Sequence, residues 1–150
     1  MCLTTKEPRR RGGRHNEPVA LVRIEILKGR TAEQKRQLLL ATHDAVVCVL
    51  QVPPGDPTLR IVELDPLDVT LPSDPHPTSE LFALVEITMF AGRSLHTKRR
   101  LYRELVSALA TVGIPEMDIT IVLIESPPEN WGVRGGRPAS EVELGFNIEI

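Results

Sequence analysis

The chain states one phrase twice. "LVRIEILKGRTAEQKR" (21–36) is answered sixty-three positions later by "LVEITMFAGRSLHTKR" (84–99). In each copy, alternating apolar residues run into a Gly-Arg-Thr/Ser turn and then a helical stripe. Val22, Ile24 and Ile26 alternate with Arg23, Glu25 and Leu27, which predicts a strand with one well-buried face. Thr31 caps a helix, and Gln34 completes a capping box. Leu38, Leu39, Thr42, Ala45, Val46 and Val49 follow at helical spacing. "VPPGDPT" stops that helix and "LRIVEL" reads as the next strand. The second copy keeps the order. Val85, Ile87 and Met89 alternate; Leu101, Leu105, Ala108, Leu109 and Val112 stripe a helix; "GIPEMD" breaks it; "ITIVLIE" is a fourth strand.

A β-α-β unit joins parallel strands through a helix that packs on one sheet face. Two such units in one chain predict an α+β fold: a four-stranded mixed sheet with two helices on one face. The units span 20–65 and 82–136 of a domain covering 18–150. Between them lies "DPLDVTLPSDPHPTSE", whose prolines make 66–81 an extended connector. In "EVELGFNIEI" (141–150), Val142, Leu144, Phe146, Ile148 and Ile150 alternate with non-apolar residues, predicting a C-terminal strand with one apolar face. That strand and the uncovered sheet face both call for a partner, which a neighbouring subunit would supply.

Aromatic residues make up only 3% of the chain, so the core has to be aliphatic. A net charge of −2 gives no general pull toward nucleic acid or membrane. Residues 1–17 differ: five Lys and Arg against two Glu make a basic leader of about +3, with almost no apolar content, which reads as disordered. It is either a solvated tail, an untranslated segment or a basic arm. No apolar run reaches the ~20 residues of a membrane span, and Cys2 and Cys48 give no disulfide framework. A cytoplasmic protein is expected. His43, His76 and His96 share no spacing with Cys, Asp or Glu that would hold a metal, and Tyr102 is expected to pack in the core.

The two Gly-Arg turns in register, "IPEMDITIVLIE" and the Asn-Trp-Gly and Gly-Gly turn of "PPENWGVRGG" together resemble the tautomerase superfamily over roughly residues 20–150. This is the family of 4-oxalocrotonate tautomerase and malonate semialdehyde decarboxylase, whose longer members fuse two units per chain. The resemblance implies a homotrimer, no cofactor, no metal, and a small carboxylate substrate bound near the start of the first strand. It also implies an amino-terminal proline whose amine moves a proton. Counted back from Gly29, that place is held by Ala20, while Pro18 stands two residues early. An acylated nitrogen delocalises its lone pair into the carbonyl and is no base near pH 7. Three origins remain open: a chain starting at Met1 with a silent site; a start at Val19 trimmed to a free Ala20 amine; or cleavage after Glu17.

By the same resemblance, Arg93 is the leading carboxylate-binding candidate, against a plain helix-start role. Arg30, in the first turn, would face Ala83 and reads as structural or as a weaker substrate contact. Arg60 matches a substrate arginine of the short members. Asp56 falls where decarboxylase-like members activate water, although Asp before Pro also starts turns. Trp131 and Val133 would form an apolar wall over the catalyst, or an ordinary core anchor. The expected activity is keto–enol isomerisation of a small 2-oxo or 2-hydroxy-dienoate acid, with decarboxylation or hydration subordinate. The alternative is a non-catalytic small-acid binder or a silent subunit of a mixed oligomer.

Overall fold

The structure is a computed structural model that describes residues 20–150. The basic leader, Pro18 and Val19 lie outside the described residues. Strand β1 (Ala20–Leu27) leads through helix α1 (Ala32–Leu50) to β2 (Thr58–Leu64). After the connector, β3 (Ala83–Phe90), α2 (Leu95–Thr111) and β4 (Ile119–Ser126) repeat the path. The sheet order is β2-β1-β3-β4. β1 pairs parallel with β2, β3 parallel with β4, and β1 antiparallel with β3, so the two copies meet back to back at the sheet centre. The expected four-stranded mixed sheet with two helices is therefore present.

The duplication extends to the backbone. Gly29 and Gly92 take φ of 130° and 128°, a region open to glycine and strained for other residues. Immediately after, Thr31 Oγ1 accepts the Gln34 N–H and the Thr31 N–H donates to the Gln34 side-chain oxygen, while Ser94 accepts the Thr97 N–H. Each cap satisfies donors that a helix start otherwise leaves orphaned. Val22, Ile24 and Ile26 of β1 and Val85, Ile87 and Met89 of β3 are fully buried, together with Leu38, Val46 and Val49 of α1 and Leu101, Leu105 and Leu109 of α2. Apart from Phe82 and Phe90, the buried hydrophobic residues are aliphatic, in keeping with the scarcity of aromatics.

Four expectations are corrected. First, the uncovered sheet face is mixed rather than apolar throughout. Arg23 reaches Glu25 at 2.6 Å and Glu86 at 3.8 Å across its middle, because the strand alternation sends the apolar set to the helix side. Val122 and Ile124 on β4 still expose 42% and 45% of their surface.

Second, the C-terminal region forms a two-residue hairpin, β5 (Gly132–Val133) with β6 (Arg137–Pro138), instead of one strand over 141–150. Residues 142–150 keep their alternation of half-buried and exposed side chains. They pair with no strand among the described residues: Gly145 at φ 75° interrupts the extension, and the apolar side chains settle on the chain's own core.

Third, Cys48 is disulfide-bonded, a link that residue spacing does not encode. Fourth, Tyr102 is half-buried beside the core rather than inside it, since Leu101 and Leu105 take the inward positions of that turn. No helix among the described residues is long and apolar enough to cross a membrane.

Candidate functional site

Strand register gathers one end of the sheet. β1 begins at Ala20, opposite Met89 near the end of β3. β2 begins at Thr58, opposite Leu21, so the Asp56 loop arrives at that end too. Chain leaving β3 turns at Gly92 and presents Arg93; chain leaving β4 at Ser126 leads to Trp131 and Val133. Ala20, Asp56, Arg93, Trp131 and Val133 are thus supplied by different elements to the same end. Arg60 is set further in, paired with Arg23 in register and exposed on the uncovered face. Arg30 follows the far end of β1, opposite to the others.

Arg93 is the unusual side chain. It is 5% exposed, and its Nη1 donates to the Phe90 carbonyl at 3.1 Å. Its Nε and Nη2 are buried with no hydrogen-bond partner among the described residues. Burial lowers the pKa of the guanidinium from its ordinary value, and the charge of Glu125 opposes that shift. Glu125 is itself held by Lys98 at 2.7 Å, so the compensation is shared. A buried cation with idle donors is costly unless an anion can meet it. Two adjacent N–H groups of one guanidinium match the two oxygens of a carboxylate.

An aromatic wall stands beside it. Phe90 meets Trp131 edge-on with centroids 4.7 Å apart, and Phe146 stacks on Phe90 at 6.4 Å. Val133 is buried, and the Trp131 indole Nε1 is also buried without a partner. Sequence places Phe146 on the apolar face of the terminal segment but assigns neither it nor Phe90 to this end of the sheet. Phe90 reads there as one more strand residue, and the aromatic type at the strand's last position was the available signal. Asp56 is half-buried in a turn closed by its own N–H on the Pro53 carbonyl. His43 Nε2 donates to the Pro54 carbonyl at 2.7 Å, latching the loop to α1, and its Nδ1 stands 3.1 Å from Asp44 Oδ1. Among the described residues no cluster of His, Cys, Asp and Glu can hold a metal.

The C-terminal segment closes over this end. The Ser94 N–H donates to the Ile150 carbonyl at 2.7 Å, and a Cβ built on Gly92 would stand 3.3 Å from the Ile148 carbonyl. A Cβ on Gly29 would meet nothing within 4 Å. Gly92→Ala and Gly29→Ala share the penalty of a positive φ, about 1–3 kcal/mol. Gly92→Ala is expected to destabilise by roughly a further 1 kcal/mol, because it also pushes on the strap. Urea denaturation of the two variants measures the difference, and equal losses would mean that the strap does not seat on Gly92.

The duplicated β-α-β sheet thus sets an idle guanidinium beside an aromatic wall at the end where the first strand begins. The tautomerase enzyme family models match residues 21–67 and, overlapping at β2, residues 56–134. The chain belongs to the tautomerase superfamily as a fused two-unit member. It is 34% identical over 53 residues to Probable tautomerase RSp0893 of Ralstonia nicotianae (strain ATCC BAA-1114 / GMI1000), covering 35% of this chain and 76% of that protein. Among solved structures, FG41 malonate semialdehyde decarboxylase inhibited by 3-bromopropiolate is 31% identical, with a TM-score of 0.67 over 79% of this chain and 92% of that one. A fused 4-OT wild type symmetric trimer is 30% identical, with a TM-score of 0.71 over 80% and 96%.

Proposed function

We propose that the protein is a cofactor-independent enzyme that moves a proton in keto–enol isomerisation of a small 2-oxo or 2-hydroxy-dienoate acid. The observation that carries this reading is the buried, half-idle guanidinium of Arg93 at the sheet end where β1 opens. In the reading, Arg93 holds the carboxylate and stabilises the developing enolate oxygen. A free α-amine on Ala20 takes the proton and returns it. Trp131 and Val133 exclude water, which favours the neutral amine. Asp56 would position a water molecule if decarboxylation or hydration shares the pocket, as the activity of the malonate semialdehyde decarboxylase relative suggests. The trimeric fused relative supports a trimer of this chain.

A second reading is favoured by the sequence as it stands: Ala20 follows Val19, and an acylated nitrogen cannot serve as the base. The protein is then a small-acid binder or a silent subunit. Intact-mass measurement of natively produced protein, with turnover of phenylenolpyruvate and 2-hydroxymuconate on the same material, separates the two. A mature start at Ala20 with turnover is the expected result. A retained leader with no turnover leaves only the binder.

A further inference from the structure

We propose that the first Gly-Arg turn carries a second, non-catalytic binding site for a small monocarboxylate. A cavity of about 400 Å³ opens there, lined among others by Lys28, Arg30, Glu80, Leu81 and Val112. Its size suits a small acid. Arg30 is half-buried, and its Nη2 is anchored on the Leu81 carbonyl at 3.0 Å, which fixes the plane of the guanidinium. Among the described residues no carboxylate forms an ion pair with it, and burial alone shifts its pKa downward. Lys28 adds a second cation, tied to Asp65 only at 3.7 Å and well exposed, so it is free to turn toward a ligand.

The anion would be held by these side chains, not by the helix start. Gln34 N–H and Thr31 N–H are both consumed by the capping box of α1. Leu81 and Val112 offer apolar surface for a short carbon chain. Glu80 faces the same cavity and repels a second negative charge, which selects monoanions over dianions.

The duplication shows how the first turn differs from its counterpart. Over the second turn lie the aromatic wall and the Ile148–Ile150 strap. The chain provides no equivalent segment over the first turn among the described residues, and the cavity remains. The strand it adjoins begins at Ala83, whose nitrogen is bonded to Phe82 and cannot act as a base. Binding without chemistry is what such a site can do. The inference does not depend on the proposed activity.

Amide shifts in ¹⁵N-labelled full-length protein test it, with Gly29 and Gly113 reporting on this cavity and Gly92 on the Arg93 end. Butanoate is expected to move Gly29 and Gly113 saturably, and malonate to bind there several-fold more weakly. Arg30→Ala should weaken butanoate at these amides by at least about tenfold, and Lys28→Gln by roughly threefold, leaving any Gly92 response unchanged. Absent or non-saturating shifts at Gly29 and Gly113 in the wild type overturn the proposal. Unaltered affinity in Arg30→Ala also overturns it. Loss of the Gly92 response alone would count against the proposed enzyme and leave this site standing.

Discussion

A chain that begins at Ala20 is expected to ketonise phenylenolpyruvate at least about 100-fold faster than the same chain carrying Val19 and what precedes it. The difference is one bond. With Val19 attached, the Ala20 nitrogen is an amide and has no available lone pair. Freed, it is an α-amine with an ordinary pKa of about 7.7–8.0. A guanidinium nearby or apolar surroundings would disfavour its charged form and lower that value. In the proposed reading the neutral amine is the base. Activity should therefore rise with pH through the lowered pKa, level off above it, and vanish below. Ala20→Pro in the freed chain supplies a secondary amine, the stronger nucleophile, and should raise turnover about tenfold, or ~1.4 kcal/mol of barrier. Initial rates from the decay of enol absorbance, taken across pH on all three forms, check the series. Equal rates with and without Val19 would remove the amine from the mechanism.

Much of this architecture was legible because it is written in local rules stated twice. Alternation fixed which side of β1 and β3 is buried, and Gly-Arg-Thr/Ser fixed where each helix starts. Both signals act within a few residues, where sequence is most informative. The place of the candidate site came from the resemblance instead; the parallel register adds that β1 and β2 start at the same end of the sheet. The terminal segment was harder. Its alternation was plain, but what it packs against depends on where Phe90 and Gly92 stand in space, and both belong to a distant part of the chain. The uncovered face was misjudged for a similar reason. Arg23 and Glu86 lie far apart in sequence, and only strand register makes them neighbours across the sheet. The resemblance makes Arg93 a candidate, while its isolation from any full counter-charge is a property of packing alone.

That isolation makes Arg93→Met the most informative single change, because it is expected to move stability and binding in opposite directions. Arg93 is 5% exposed with two idle nitrogens, and its nearest compensation, Glu125, is shared with Lys98. Replacing a buried, poorly paired charge by an apolar chain of similar length is neutral or stabilising by about 1–4 kcal/mol. One bond to the Phe90 carbonyl is lost, which offsets about 1 kcal/mol of the gain. The ligand, by contrast, loses the partner for its carboxylate, a cost of roughly 2–5 kcal/mol, or about 30-fold to several thousand-fold in affinity. Arg93→Lys keeps the charge but not the paired donors, and should recover only part of the binding. Urea denaturation measures the first effect and calorimetric titration with 2-oxobutanoate the second. A Met variant that unfolds more easily yet binds the acid as well as the parent would make Arg93 a structural residue of the turn. A more stable protein that no longer holds the acid would mean that the chain tolerates a badly housed cation for the sake of what it binds.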